Sequence, residues 1–398
     1  MWTLFALYMF QISGERLDTL VAALDGAVGG VAVDKTGFIY VADFRNKVWR
    51  ITPEGEVEVF ADYLYGASGN HIDAQGRLLQ SNFFGNTLTR INRDGSHETL
   101  TTELNGPVGV TELDDSDIAI CNCSGNEVVR LDKQRKLEVI ADGDLFNCPN
   151  GLNKGPDGTL YVANFSDGRV IKIDSQGQAH LVGVVPGGGN GHLVLVGDTL
   201  YVTGFRSNRL YRLGLDGTVT IAEGSGQFGV VDGSGDQAQF ASPNGIAWNP
   251  TRDELYINDY LVPFTHRTRT KPQSALRRVV FPTLTEAFQQ ADQQSGIEAA
   301  IKAHRKYKQS RTGKFTEIET NMLGYTLLQS GRAADAIRVF QCNTEDYPNS
   351  FNTWDSLAEG YMVAGDKANA VKYYRKSLAL NPNNQNAVDR LKKLESSP

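Results

Sequence analysis

The chain has 398 residues, with 39 Lys and Arg against 46 Asp and Glu for a net charge of −7, and 40% of its residues are hydrophobic. Such a length predicts two or three domains with cores of their own, and the composition excludes global disorder, a collagen-like fold and a small disulfide-stapled scaffold. Glycine and charge both divide the chain near residue 282: 35 of the 41 glycines lie in 1–282, which carries −9 against +2 for 283–398. Two domains of different class are expected. The acidic front has no basic stripe, which excludes nucleic acid and anionic membrane as main partners, because phosphate recognition needs concentrated Lys and Arg.

In chain order, the first feature is an apolar run, MWTLFALYMF, at 1–10. It has the length of a signal h-region but neither a basic n-region nor a small-residue cleavage site. No stretch reaches the ~20 apolar residues that span a bilayer. The expectation is a soluble, cytoplasmic protein, or an exported one if the start codon is misplaced. Next, one motif recurs six times, at 29–44, 68–83, 108–123, 150–165, 190–205 and 244–260. Its shared glycines are Gly30, Gly69, Gly109, Gly151, Gly191 and Gly245, spaced by 39, 40, 42, 40 and 54 residues. A period near 40 with alternating apolar residues predicts four short strands per unit, the blade of a β-propeller. Within the first unit, GVAVD, FIYVAD, KVWRI and EVEVFA read as the four strands, separated by turns such as Lys-Thr-Gly that tolerate positive φ. The sixth unit is interrupted by FTHRTRTKPQS at 264–274 and has no fourth strand, whereas GERLDTLVAAL at 14–24 copies the outer-strand segments of other units. Closure of the ring by that N-terminal strand removes an exposed edge and completes six blades over 14–282.

From residue 317 the period becomes 34: Leu323, Ala336, Phe340 and Pro348 recur as Leu357, Ala370, Tyr374 and Pro382. Small residues let paired helices approach and the prolines end each unit. The pattern Trp354, Leu357, Tyr361, Ala370, Tyr374, Pro382 resembles the tetratricopeptide consensus. It predicts an α-helical domain over 283–398, with two repeats capped by helices near 284–309 and 384–396. This tail is expected to stabilise or oligomerise the chain, or to hold a protein partner.

The stretch GSGQFGVVDGSGDQAQFASPNGIAWN at 224–249 resembles an NHL repeat, and PNGLNKGPDGTLYVANF at 149–165 resembles the senescence-marker-protein, or gluconolactonase, family. The resemblance implies an all-β six-bladed propeller. Function stays open, because this fold hosts lactonases, lyases, synthases and binding modules.

Inner strands of a propeller begin at one mouth of the central channel, so residues just before the shared glycines converge there. That position holds Gly29, Ser68, Val108, Asn150, Asn190 and Asn244. Asparagine carbonyl oxygens suit a hard cation, so Asn150, Asn190 and Asn244 are candidate ligands for a divalent ion, Ca²⁺ before others. Asn70, His71 and His192 lie within two residues of shared glycines and are candidate contacts for a small polar molecule. His71 and His192 are also the candidate general bases. The plainer reading of the asparagines is that they cap strand ends around a water-filled channel. In the resembled family, a Glu of the first blade, Asn residues of middle blades and an Asp before a blade glycine hold a divalent ion that polarises a lactone carbonyl. Asn150 matches that pattern; Asn190 stands in the place of the Asp, Gly29 in that of the Glu, and Val108 leaves the third blade without its ligand.

Other polar sets read as structural. Asp43, Asn82, Asn122, Asn164 and Asp259 end second strands, where short polar side chains close turns, and Asn46, Asn86, Asn126 and Asn208 follow the same logic. Cys121, Cys123 and Cys148 fall toward one mouth and are either a disulfide, a soft-metal site or buried inert thiols. Two functions are therefore carried forward: a gluconolactonase-like hydrolase or related enzyme acting on a small polar lactone or ester, with or without a metal, and a non-catalytic propeller and tetratricopeptide scaffold that binds a ligand or protein.

Overall fold

The computed structural model describes residues 15–262, 271–310 and 315–396. The apolar run at 1–10, residue 14 of the N-terminal strand segment and most of the 264–274 insertion lie outside the described residues. Two compact units divide after Phe281.

The first unit is a six-bladed β-propeller, each blade a sheet of four antiparallel strands. Strand β1 (Arg16–Asp25) precedes blade one, which runs β2 (Val31–Val33), β3 (Ile39–Ala42), β4 (Val48–Ile51) and β5 (Val57–Ala61). Blade two is β6 (Ala67–Ile72) to β9 (His97–Thr101), and blade three is β10 (Pro107–Glu112) to β13 (Leu137–Ala141). Blade four is β14 (Pro149–Lys154) to β17 (Ala179–Val184), and blade five is β18 (Asn190–Val196) to β21 (Val219–Glu223). Blade six is β22 (Pro243–Asn249), β23 (Glu254–Tyr260) and β24 (Gln273–Val280), with β1 in the outer place beside β24. The pairing runs from Arg16 opposite Val280 to Asp25 opposite Gln273. Joining the first strand to the last gives blade six its fourth strand and ties the two ends of the propeller into one sheet.

Burial follows the radial order of strands. Every residue of the second strand Leu78–Asn82 is buried, because its sheet is covered on both faces by neighbouring blades, whereas the outer strand Val57–Ala61 is mostly exposed. The apolar cores accordingly lie between blades: Ala119, Cys121 and Val128 of blade three pack with Leu152, Leu160, Val162 and Ile171 of blade four. The shared glycines are explained by close approach of inner strands. A Cβ on Gly69 would lie 2.1 Å from the Val108 carbonyl oxygen, and one on Gly245 would lie 2.4 Å from that of Gly29, across the closure of the ring. Neither obstacle is a side chain that can move aside.

The residues ending the second strands close turns. Asp43 accepts from the N–H groups of Arg45 and Lys47, and Asn82 donates to Thr87 and Thr89. Asp259 is fully buried, accepts from Ala241 N and Ser242 N, and faces the equally buried Arg277 at 3.3 Å. Asn86 and Asn126 adopt positive φ and accept from Gly106 N and Cys148 N, stitching each hairpin to the chain leading into the next blade.

The second unit consists of α1 (Leu284–Ser295), α2 (Ile297–Ser310), α3 (Glu317–Gln329), α4 (Ala333–Asp346), α5 (Phe351–Val363), α6 (Lys367–Leu380) and α7 (Gln385–Ser396). The segment expected to act as a cap does more: α1 and α2 form a third helical pair, whose Phe288, Ala300 and Tyr307 share one core with Leu323, Phe340 and Leu357. A capping box between Thr283 and Glu286 starts α1, and another between Thr316 and Glu319 starts α3. Gly324 of α3 permits contact with α4, since a Cβ there would lie 2.3 Å from the Phe340 ring. No helix among the described residues is long and apolar enough to cross a membrane.

Candidate functional site: an aromatic cavity at the mouth of the propeller

Where the inner strands begin, a cavity of about 320 Å³ opens. Its principal walls come from one position in every blade, the residue at or just after the end of the second strand: Phe44, Phe83, Cys123, Phe165, Phe205 and Tyr260. A repeated backbone contact fixes that position. The N–H groups of Phe83, Cys123, Phe165 and Tyr260 donate to the carbonyls of Gly66, Gly106, Cys148 and Ser242, each just before its own blade's inner strand, at 2.7–3.1 Å. Phe44 adopts φ 55°, unusual for an aromatic residue, and donates instead to Ala67 O at 2.9 Å. Ring pairs line the wall, Phe44 with Phe83 at 5.6 Å and Phe165 with Phe205 at 5.7 Å between centroids.

Of these six, Cys123 was expected toward the mouth, whereas the five aromatic residues were not among the candidates read from the sequence. The signal was present, since every repeat segment ends on this position and five of the six endings are aromatic.

Blade three breaks the aromatic series with Cys123, which is disulfide-bonded to Cys148 at the start of blade four. Of the three readings of the cysteine group, the structure contains the disulfide. Cys121 and Cys342 are free and buried, and burial pushes the Cys121 thiol well above its ordinary range.

Two of the three converging asparagines line the cavity, Asn150 and Asn244. Each fastens its blade to the next: Asn150 Nδ2 donates to Gly191 O at 2.8 Å, and Asn244 Nδ2 donates to Val28 O at 3.2 Å. Ser68 makes the same kind of link in blade two, its Oγ donating to Pro107 O at 2.7 Å. Asn190 is fully buried and is not among the lining residues; its Oδ1 has no hydrogen-bond partner.

Asn70, His71 and His192 are not among the lining residues either, and they follow the glycine layer on their inner strands. Asn70 Nδ2 donates to Tyr40 O. Burial holds the His192 imidazole down to about 4, and its Nε2 is buried without a partner. His71 is also held down to about 4, by burial first, opposed by Asp73 and reinforced by Lys154. Both are therefore neutral at pH 7. No group of three or more His, Cys, Asp or Glu residues suited to a metal ion occurs among the described residues.

The fold and this cavity define a six-bladed propeller with a ligand-sized mouth, followed by a helical-repeat unit. The tetratricopeptide repeat family matches residues 351–384. No curated protein is significantly similar in sequence to this chain. Among solved structures, a gluconolactonase of Xanthomonas campestris is 20% identical with a TM-score of 0.53, over 67% of this chain and 90% of that one. Auxiliary nutrient binding proteins of Bacteroides thetaiotaomicron and Bacteroides ovatus are both 14% identical, with TM-scores of 0.57 and 0.55, each over 68% of this chain and 77% of theirs. These likenesses show the propeller fold, shared by proteins named as an enzyme and as binding proteins.

Proposed function

We propose that the propeller is a binding module for a small, largely apolar molecule held in the mouth cavity. The observation that carries this reading is the ring of Phe44, Phe83, Phe165, Phe205 and Tyr260, one equivalent position in five of six blades, directed at one space. An apolar cavity of about 150 Å³ holds one benzene, so about 320 Å³ suits two fused rings or a comparable alkyl group. Names of neighbours that include nutrient-binding proteins accord with binding without catalysis.

Hydrolysis of a lactone or ester is less well supported. Activation of water needs a base, and no carboxylate or histidine lines the cavity among the described residues. A divalent cation fits the donor set poorly, because Asn150 and Asn244 are neutral and the otherwise almost wholly apolar lining supplies too few oxygens for a hard ion. The disulfide favours an oxidising compartment over the cytoplasmic expectation.

For the helical unit, the repeat match supports a role in holding a protein partner. The test of the ligand reading is calorimetric titration of the full chain with indole, naphthalene and 2-methoxynaphthalene, beside a Phe165→Asp variant. Saturable binding that the variant loses is expected; a wild type that binds none of the three overturns the reading.

A further inference from the structure

The polar part of the cavity has a definite sense. Asn150 Nδ2 donates to Gly191 O, and Asn244 Nδ2 to Val28 O and, at 3.4 Å, to Gly29 O. Only the amide nitrogen of a carboxamide can donate to a carbonyl, so these contacts fix which way each amide is turned. Each Oδ1 is thereby directed away from the backbone it fastens, and no group among the described residues donates to either oxygen. No Lys, Arg, His, Ser or Thr side chain is among the lining residues, and Tyr260 brings a phenolic hydroxyl to the same lining. The cavity thus combines aromatic walls with two carboxamide oxygens and one phenol.

Resting on the binding reading above, we infer that the ligand carries a hydrogen-bond donor, a hydroxyl or an amine, at the end that meets Asn150 and Asn244. An apolar ligand without a donor displaces water from these oxygens and leaves them unpaired. Each acceptor left unpaired weakens binding by about tenfold or more. A ligand with a donor keeps both the apolar contacts and the hydrogen bond. The selectivity therefore resides in the asparagines and the bulk of the affinity in the rings, and the two are separable.

Blade two indicates how to separate them. Ser68 holds its blade to the next through a hydroxyl donor and presents no carboxamide oxygen. Asn150→Ser and Asn244→Ser are designed to keep the fastening and remove the carboxamide oxygens that reach the cavity. The experiment titrates the full chain calorimetrically with 2-naphthol and 2-methoxynaphthalene, which share a ring system and differ in the donor. Wild type is expected to bind 2-naphthol at least about tenfold more tightly. In the double Ser variant that ratio should fall toward one, chiefly because 2-methoxynaphthalene, which no longer leaves a carboxamide oxygen unpaired, binds more tightly than it does to wild type. If the double variant does not fold, either single variant should show about half of the loss on a logarithmic scale. Equal affinities in wild type, or an undiminished ratio in folded Ser variants, overturn the inference while leaving the binding reading intact. Failure of wild type to bind either probe overturns the binding reading, and the inference with it.

Discussion

Opening the Cys123–Cys148 disulfide should destabilise the propeller by a calculable amount. The bond closes a loop of 25 residues that contains the two outer strands of blade three and the approach to blade four. Constraining a loop of that length removes about 3.5 kcal/mol of chain entropy from the unfolded state at 25 °C. The native side of the balance changes little, because the same strands remain hydrogen-bonded in their sheet and the Cys148 N–H still donates to Asn126 Oδ1. Both cysteines are partly exposed, so a phosphine reductant has access. The assay is urea unfolding of oxidised protein, reduced protein and a Cys123→Ser, Cys148→Ser variant, followed by far-ultraviolet dichroism. The reduced protein and the variant should coincide, and both should lie about 3.5 kcal/mol below the oxidised form. Thiol counting in denaturant supplies the control: two free thiols, Cys121 and Cys342, before reduction, and all four cysteines after it. Four thiols before reduction, or coincident unfolding curves for all three samples, would refute the reasoning.

Three further outcomes test the scaffold. Gly69→Ala places a Cβ against the Val108 carbonyl, where backbone cannot yield, and should destabilise at the upper end of the ~1–3 kcal/mol range for overpacking, read by thermal unfolding. Asp259→Ala leaves the guanidinium of Arg277 buried and should cost about 3 kcal/mol, whereas Asp232→Ala, which removes a half-exposed partner of the same Arg277, should cost less than about 1 kcal/mol. Burial lowers the His192 pKa to about 4 in the folded chain, below its unfolded value, so its neutral form is favoured by folding. That contribution is complete above pH 6.5 and is lost as pH falls toward 4, up to about 3 kcal/mol; His192→Gln should flatten the fall in a pH series of urea midpoints.

The propeller was legible in the sequence because each blade must solve the same problem at the same places. Inner strands that nearly touch need glycine, hairpins need residues tolerant of positive φ, and these recur near every 40 residues. The helical unit was legible for the same reason from residue 317; helical structure near 284–309 was also expected, but as a cap, because α1 and α2 lack the 34-residue pattern and so did not read as a third pair. The site was harder to read. Asn150 fastens to a carbonyl 41 residues away, a contact between main chain and side chain that leaves no residue pattern to find. Asn190 occupies the same repeat position yet is fully buried. Choosing Cys123 over Cys121 as the partner of Cys148 depends on which side of a strand each faces, and Cys121 packs between blades while Cys123 reaches the mouth. The aromatic ring was written in the sequence, but four of its five members are phenylalanines without a polar atom, next to polar residues such as Asp43, Asn82 and Asn164 that carry the more obvious chemistry.

The most direct measurement of the central claim is a crystal of the full chain soaked with 6-bromo-2-naphthol and measured at the bromine edge. The account predicts one anomalous peak inside the ring formed by Phe44, Phe83, Phe165, Phe205 and Tyr260, with the naphthol oxygen within hydrogen-bond distance of Asn150 or Asn244. An occupied site elsewhere on the propeller, with this cavity holding only solvent, would contradict it.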